Sequence, residues 1–356
     1  MKPQVGPSKP IAIDLFAGAG GTTLALKRSG FDVPVAIEID PVKAATLFRN
    51  QPDTAVLGLQ GTNGDVTKVV STDIYRAGLP RDRPLDLLVA CPPCQGYSTQ
   101  GKQNPRDPRN FLFEHVLRLA AALRPKAVVV ENVPGMASTA DGTFLSQLLS
   151  GLQGLGFETE VWKLTASRFG VPQDRQRLFI VAASDVVSPP RGRGRSPTTW
   201  EAIADLPETT FRPAARRAVL IGYRRASISG YASQLRGRQK GVTGVEKSRH
   251  ARRLVRRISH LRWGEIDPLT KHRRLHPFRP ASTLTAGTRT RTACRPIHPY
   301  RNRTLTVREA ARLASFPDWY EFHPVISEAW NEIGNAVPPL MAQAVFQRVR
   351  SALRSS

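Results

Sequence analysis

The chain has 356 residues, 40% of them hydrophobic, with 52 Lys and Arg against 28 Asp and Glu, a net charge of +24 and a sequence pI near 11.1. Such a composition fills one large core or two ordinary ones, and so strong a positive field selects a polyanionic partner, nucleic acid first. No apolar run approaches the roughly 18–20 residues of a membrane span, the opening MKPQVGPSKP lacks a signal peptide's apolar stretch, and three cysteines make no disulfide scaffold; a soluble cytoplasmic protein without a membrane partner is expected.

IAIDLF (11–16) is a short apolar run that ends on AGAGG, as a fully buried parallel strand would. Residues 22–29 read as a helix stopped by Gly30, 33–40 as a strand, and 41–50 as a helix with proline at its start. LDLLVA (85–90) is another buried strand, and 109–123 has helical spacing. KAVVVEN (126–132) is a strand, 143–156 a helix ended by glycine, FETEVWKL (157–164) an alternating strand and RLFIVAA (177–183) the last. This alternation predicts an α/β fold with a Rossmann-like, doubly wound, mostly parallel sheet and ligands beyond the strands' carboxyl ends. After residue 185 the periodicity fades, and from Arg191 to Arg274 there are 18 Arg and 3 Lys against 6 acids, a net +15. With the linker-like SPPRGRGRSP (188–197), this shift marks a boundary near 185. Order returns with a helix over 306–316, capped by Thr306, and a last helix over 340–353.

The turn DLFAGAGG (14–21) sets Gly18, Gly20 and Gly21 at a strand-to-helix junction, where glycine lets the main chain turn sharply and approach a ligand closely. It is neither a phosphate-binding loop with Gly-Lys-Ser/Thr nor a strict G-x-G-x-x-G. Glu38, twenty residues beyond Gly18, ends the second strand and could accept from both hydroxyls of a ribose. Asp65, in GDV, could receive an adenine amino group. Together these residues describe an adenosine cofactor, and S-adenosyl-L-methionine fits them better than a dinucleotide.

VACPPCQGYS (89–98) holds Cys91 and Cys94 in a C-x-x-C spacing that admits three readings. A redox dithiol wants its first cysteine at a helix N-terminus, and here two prolines intervene. A zinc site needs a second pair, but Cys294 and the histidines near it lack tight ligand spacing. In the third reading Cys94 is a nucleophile whose approach Pro93 fixes. Glu131, in ENVP, and Gln173, Arg175 and Arg177, in PQDRQR, come from loops expected at the same sheet edge.

DLFAGAGG, EID, GDV, PPCQGYS, ENVPG, QDRQR, LTVREAARLASFPD and GNAVPP occur in the order found in cytosine-5 DNA methyltransferases, which the chain resembles along nearly its whole length. The resemblance implies a catalytic and cofactor-binding domain over 1–184, a smaller irregular target-recognition domain over 185–327, and a segment over 328–356 that returns to the large domain. It implies methyl transfer from S-adenosyl-L-methionine to carbon 5 of a cytosine flipped out of duplex DNA, with Cys94 adding to carbon 6. Glu131 would protonate ring nitrogen 3, Arg177 and Arg175 would hold the base carbonyl, and no metal is involved. The cofactor would meet Asp14, Phe16, Gly18, Gly20, Gly21, Glu38, Ile39, Asp65, Val66, Pro93, Asn335 and Ala336. DNA would meet Gln95, Ser98, Arg106, Gln173, Arg273 and Arg274, under a closing loop formed by 101–110. Cys91 stands where glycine or serine is frequent and reads as a bystander, and Ile39 stands where an aromatic ring could stack on adenine. A prokaryotic monomer paired with a restriction endonuclease encoded nearby is expected. Two alternatives stay open: a methyltransferase acting on tRNA, and a catalytically silent DNA-binding relative.

Overall fold

Runs of β-branched and aliphatic residues with no polar alternation can only become strands covered on both faces, and the chain meets that demand with one large sheet. The computed structural model describes residues 8–94, 107–209, 219–223, 225–286 and 295–354. Its contacts divide the chain into two units, the first made of residues 1–164, 176–191 and 342–356, the second of 165–175 and 192–341. The strands are β1 (Ile11–Leu15), β2 (Asp32–Ile37), β3 (Ala55–Leu57), β4 (Leu87–Ala90), β5 (Ala127–Asn132), β6 (Glu158–Thr165), the short β7 (Gln173–Asp174) and β8 (Gln176–Ala183). In the first unit they form a seven-stranded sheet, β3-β2-β1-β4-β5-β8-β6. The pairs β2–β3, β1–β2, β1–β4 and β4–β5 are parallel, and β8 joins β5 antiparallel.

Alternate residues of these strands serve the two faces. Ile11, Ile13, Leu15, Val35, Ile37, Leu88, Val128 and Val130 pack with α3 (Ser71–Ala77), α4 (Leu112–Leu123) and α5 (Thr143–Gly154) in one core. Ala36 and Val56 face the other way, toward α2 (Pro41–Asn50). The helix α1 (Gly21–Arg28) lies against β2 and β1. Helix starts follow the sequence signals: Pro41 opens α2 behind Asp40, whose carboxylate accepts from Val42 N at 3.0 Å.

The second unit is poorer in regular structure. It holds β7, β9 (Ile221–Gly222), β10 (Gly241–Val242) and β11 (Ala281–Ser282), with α6 (Thr199–Ile203), α7 (Gly230–Arg236), α8 (Arg252–Ser259), α9 (Val307–Leu313) and α10 (Ile326–Asn335). The last helix, α11 (Pro339–Ala352), starts in this unit and continues into the first. Composition suggested one break near 185, but the chain also leaves the first unit at residue 165. The cause is local: β7 pairs in parallel with β11, Gln173 beside Ala281, and so belongs with the second unit. Among the described residues no helix is long and apolar enough to cross a membrane.

Ion pairs, not only apolar packing, hold the second unit. Thr306 and Glu309 cap α9 reciprocally, Thr306 N donating to Glu309 Oε2 at 2.7 Å and Glu309 N to Thr306 Oγ1 at 3.2 Å. Within that helix Arg312 is fully buried and bridges Asp205 at 2.5 Å and Asp318 at 2.6 Å. Arg303 joins Glu309 at 2.7 Å and Glu208 at 2.8 Å. Breaking such a group leaves buried charge without compensation. Arg312→Met is therefore expected to destabilise the protein by about 3–5 kcal/mol, seen as a lowered midpoint in thermal denaturation.

Candidate active site

The parallel register does the first work of assembly. Ile37 pairs with Leu15, Leu15 with Ala90, and Ala90 with Val130. The next residues are Glu38, Phe16, Cys91 and Glu131, which therefore stand side by side at one edge of the sheet, Glu131 still paired with Phe179 of β8.

At β1 the chain turns through Phe16 (φ 56°), Gly18 (φ 56°) and Gly20 (φ 88°) into α1. A Cβ added at Gly18 would meet no atom within 4 Å, so open space adjoins the main chain there. Asp14, wholly buried just before the turn, accepts from Thr22 Oγ1 at 2.6 Å and Thr23 Oγ1 at 2.7 Å, both through Oδ2. Its Oδ1 is buried and has no hydrogen-bond partner. Burial raises the Asp14 pKa to about 6, against the two threonine hydrogen bonds, which favour the carboxylate. Glu38 binds the turn directly: its Oε2 accepts from Gly18 N at 2.8 Å and its Oε1 from Asp40 N at 2.9 Å. Burial pushes its pKa up as well. Ile39, beside it, is 64% exposed, a conspicuous apolar side chain at the rim. Asp65 is half-buried and folds back on its own turn, accepting from Thr67 N at 3.1 Å and Thr67 Oγ1 at 2.7 Å, and these bonds lower its pKa. Val66 is a core residue.

At β4 the chain continues into Cys91-Pro92-Pro93-Cys94, with Cys91 N donating to Leu15 O at 3.2 Å. Glu131, from β5, takes Arg177 Nε on its Oε1 at 2.7 Å; both are largely buried, and Arg177 Nη1 donates to Gln176 O at 2.7 Å. The Cys91 thiol lies within the field of Glu131 and Asp14. Desolvation, then those carboxylates, push its pKa well up, with Arg177 opposing. An un-ionised thiol in that position suits a packing residue and not a nucleophile. Asn132, unmarked by the sequence reading, sends Nδ2 toward Pro92 O at 3.5 Å while its Oδ1 accepts from Val133 N at 2.8 Å.

Cys94 is half-buried and has Arg109 as an electrostatic neighbour. Asp107 grips that arginine, taking Nε on Oδ1 at 2.9 Å and Nη2 on Oδ2 at 2.6 Å, and caps the turn by accepting from Arg109 N at 2.9 Å. The pair holds the Asp107 pKa down to about 2. Sequence reasoning passed over Arg109, although Asp-Pro-Arg is a capping signal in its own right. Gln95, Ser98 and Arg106, expected at the DNA, lie outside the described residues, as does most of the loop 101–110.

The second unit corrects three expectations. Gln173 is 1% exposed and spends both ends of its amide internally, Nε2 donating to Leu313 O at 3.1 Å and Oε1 accepting from Leu284 N at 3.0 Å, so it does not present itself to a base edge. Arg175 is buried, its Nη1 on Leu284 O at 2.7 Å and its Nη2 on Gly334 O at 2.8 Å; it ties three segments together instead of standing beside Arg177 as a base-holding group. Arg274 is 5% exposed and donates to Ile258 O at 2.7 Å, His298 O at 2.9 Å and Asn302 Oδ1 at 2.7 Å, which makes it a strut and not a reader of DNA. Arg273 is exposed. Asn335 is exposed at the end of α10, and Ala336 follows in extended conformation.

A sequence model of the family described as C-5 cytosine-specific DNA methylase matches residues 11–351. The chain is 34% identical over 370 residues to the type II methyltransferase M.XorII of Xanthomonas oryzae pv. oryzae, covering 98% of this chain and 86% of that protein. It is 31% identical over 379 residues to the type II methyltransferase M.DdeI of Desulfomicrobium norvegicum, with 95% and 88% covered. Its fold superposes with a TM-score of 0.83, at 28% identity, on a solved structure described as a DNA modification methyltransferase encoded within an E. coli prophage, over 97% of this chain and 99% of that one. The chain therefore belongs to the C-5 cytosine-specific DNA methylases.

Proposed function

We propose that this DNA cytosine-5 methyltransferase takes its methyl group from S-adenosyl-L-methionine and activates a flipped cytosine in duplex DNA through a covalent bond from Cys94 to carbon 6. The observation that carries the proposal is the strand register, which sends the Cys91–Cys94 loop, the Glu131–Arg177 pair and the glycine turn to one sheet edge.

The turn fits the cofactor. The orphaned Asp14 Oδ1 is an acceptor for an ammonium group, the space beside Gly18 admits a ligand against the main chain, and Glu38 keeps a second lone pair on each oxygen for ribose hydroxyls. Phe16, Gly20, Gly21, Ile39, Asp65, Val66 and Pro93 complete the set, with Asn335 and Ala336 joining from GNAVPP by likeness to the family. When bound, the cofactor supplies an electrophilic sulfonium methyl group. Cys94, as thiolate, adds to carbon 6 and makes carbon 5 a nucleophile; the positive charge of Arg109 favours that thiolate. Glu131, once protonated, delivers that proton to ring nitrogen 3 as electron density builds there. Arg177, anchored through Nε and Nη1, offers Nη2 to the base carbonyl. Loss of the carbon 5 proton then expels Cys94.

In the second unit, exposed Arg252, Arg253 and Arg256 on α8, with Arg262 and Arg273, would neutralise DNA phosphates. The curated relatives M.XorII and M.DdeI are type II methyltransferases, which supports placing this enzyme beside a restriction endonuclease; we read it as a monomer.

A cytosine bearing fluorine at carbon 5 tests the adduct. Fluorine cannot leave as the proton does, so elimination of the thiol stops and protein stays bound to DNA through denaturing electrophoresis. Cys94→Ser is expected to lose the adduct and the methylation, and Cys91→Ser to keep both. A Cys91→Ser variant that folds yet does neither would restore the dithiol reading.

Cofactor affinity should also depend on pH in a stated direction. Asp14 has a pKa raised to about 6, and a bound ammonium favours its carboxylate, so affinity is low while Asp14 is protonated and rises as pH climbs through that value. Calorimetry with S-adenosylhomocysteine is expected to show tighter binding at about pH 7 than at about pH 5, with the dependence flattened in Asp14→Asn.

A further inference from the structure

Arg118, on α4, is not among the residues assigned to the cofactor, yet it holds the segment that carries two of them, Asp65 and Val66. Its Nη2 donates to Val66 O at 2.8 Å and to Val69 O at 2.9 Å. Those carbonyls belong to the turn headed by Asp65, in which Lys68 N and Val69 N both donate to Asp65 O, at 2.9 and 3.0 Å. The turn does not run on into α3, whose first amides donate to Val70 O, so a continuing helix ladder does not supply its last carbonyls. A guanidinium does so with charge-assisted bonds from a fixed plane.

The opposite side of the same segment is fixed by contact. A Cβ added at Gly58 would lie 1.9 Å from Glu38 O, and one at Gly64 2.2 Å from it. Only glycine lets the chain press so closely on the end of β2. The segment that presents Asp65 and Val66 is thus clamped between the main chain of Glu38 and the side chain of Arg118.

We propose that Arg118 is a positioning residue for the cofactor, setting Asp65 and Val66 where they receive the adenine ring. This rests on the reading of the turn and Glu38 as a site for S-adenosylmethionine. The arrangement also joins adenine recognition to α4, whose N-terminal end follows the Asp107–Arg109 clamp beside Cys94. Without Arg118 the Asp65 turn samples other conformations, and each binding event must order it again, which weakens affinity for the adenosine moiety. Ribose contacts through Glu38 are untouched.

The test uses the full chain and S-adenosylhomocysteine, without DNA, in titration calorimetry. Arg118→Met is expected to weaken binding about tenfold or more. Asp65→Ala in the same background should add little, because both act on one turn, whereas Glu38→Ala should multiply the loss. In turnover assays the KM for S-adenosylmethionine rises while kcat at saturation stays within about twofold. A purely structural arginine would instead lower the melting temperature and kcat together. Arg118→Lys keeps the charge without the fork and should fall between native and Met, which covers a Met variant that does not fold. Native affinity in a folded Arg118→Met or Arg118→Lys, or independent losses at Arg118 and Asp65, would overturn the proposal alone. Native affinity in both Glu38→Ala and Asp65→Ala would overturn the cofactor reading and the proposal with it.

Discussion

Four strand ends in register are the constraint on which the site depends. In a parallel sheet the hydrogen-bond ladder fixes where each strand stands relative to its neighbours, and here Ile37, Leu15, Ala90 and Val130 lie in a row. The main chains of the residues that follow are still held, Cys91 N on Leu15 O at 3.2 Å, Glu38 N on Leu57 O at 3.0 Å and Glu131 by its pairing with Phe179, so it is their side chains that are released to chemistry. A slip of one position in β4 would exchange the side chains packed on its two covered faces and carry the cysteine loop away from Glu131. Close packing on both faces resists that exchange, so the apolar core and the placement of the reactive groups are one problem with one solution.

A second theme is the use of arginine as an internal strap. Arg118, Arg175, Arg274 and Arg308 all donate to main-chain carbonyls of other segments, Arg308 to Thr243 O at 3.0 Å as well as to Pro317 O at 3.0 Å and Tyr320 O at 2.7 Å. The flat guanidinium suits this, since several donors leave it in a fixed plane. Burial lowers the pKa of Arg308 to about 10, which still leaves it charged at neutral pH. In a chain of net charge +24, part of the positive charge is therefore structural and does not contribute fully to the outward field.

The sheet was legible because its strands are continuous apolar runs, and Pro41, Thr306 and the glycine turn marked helix starts that the structure keeps. The groups proposed for the chemistry lie where the strand signals put them, Cys94 in the loop after β4, Glu131 near the end of β5 and Arg177 near the start of β8. What the sequence hid were side chains whose partners are other segments' carbonyls. Nothing in PQDRQR separates the buried Arg175 from the edge-facing Arg177, because they lie only two positions apart and differ in which unit they join. Arg274 and Gln173 were hidden in the same way. The short helices α6, α7 and α8 carry too few turns for an apolar period to stand out, and ion pairs do much of the work that a stripe would otherwise do.

The interrupted path of the chain has a consequence for how the molecule is made. Helix α11 belongs, from residue 342, to the first unit, where Arg350 Nη1 donates to Ser29 O at 3.0 Å and Gln343 O accepts from Ser29 Oγ at 3.3 Å. The last strand of the first unit's sheet ends at Ala183, so the whole of residues 192–341 is translated before α11, a partner of α1, leaves the ribosome. Contacts of such sequence separation form late. During synthesis the nascent enzyme therefore passes through a stage with its sheet built and one flank of α1 uncovered, a natural station for chaperone engagement.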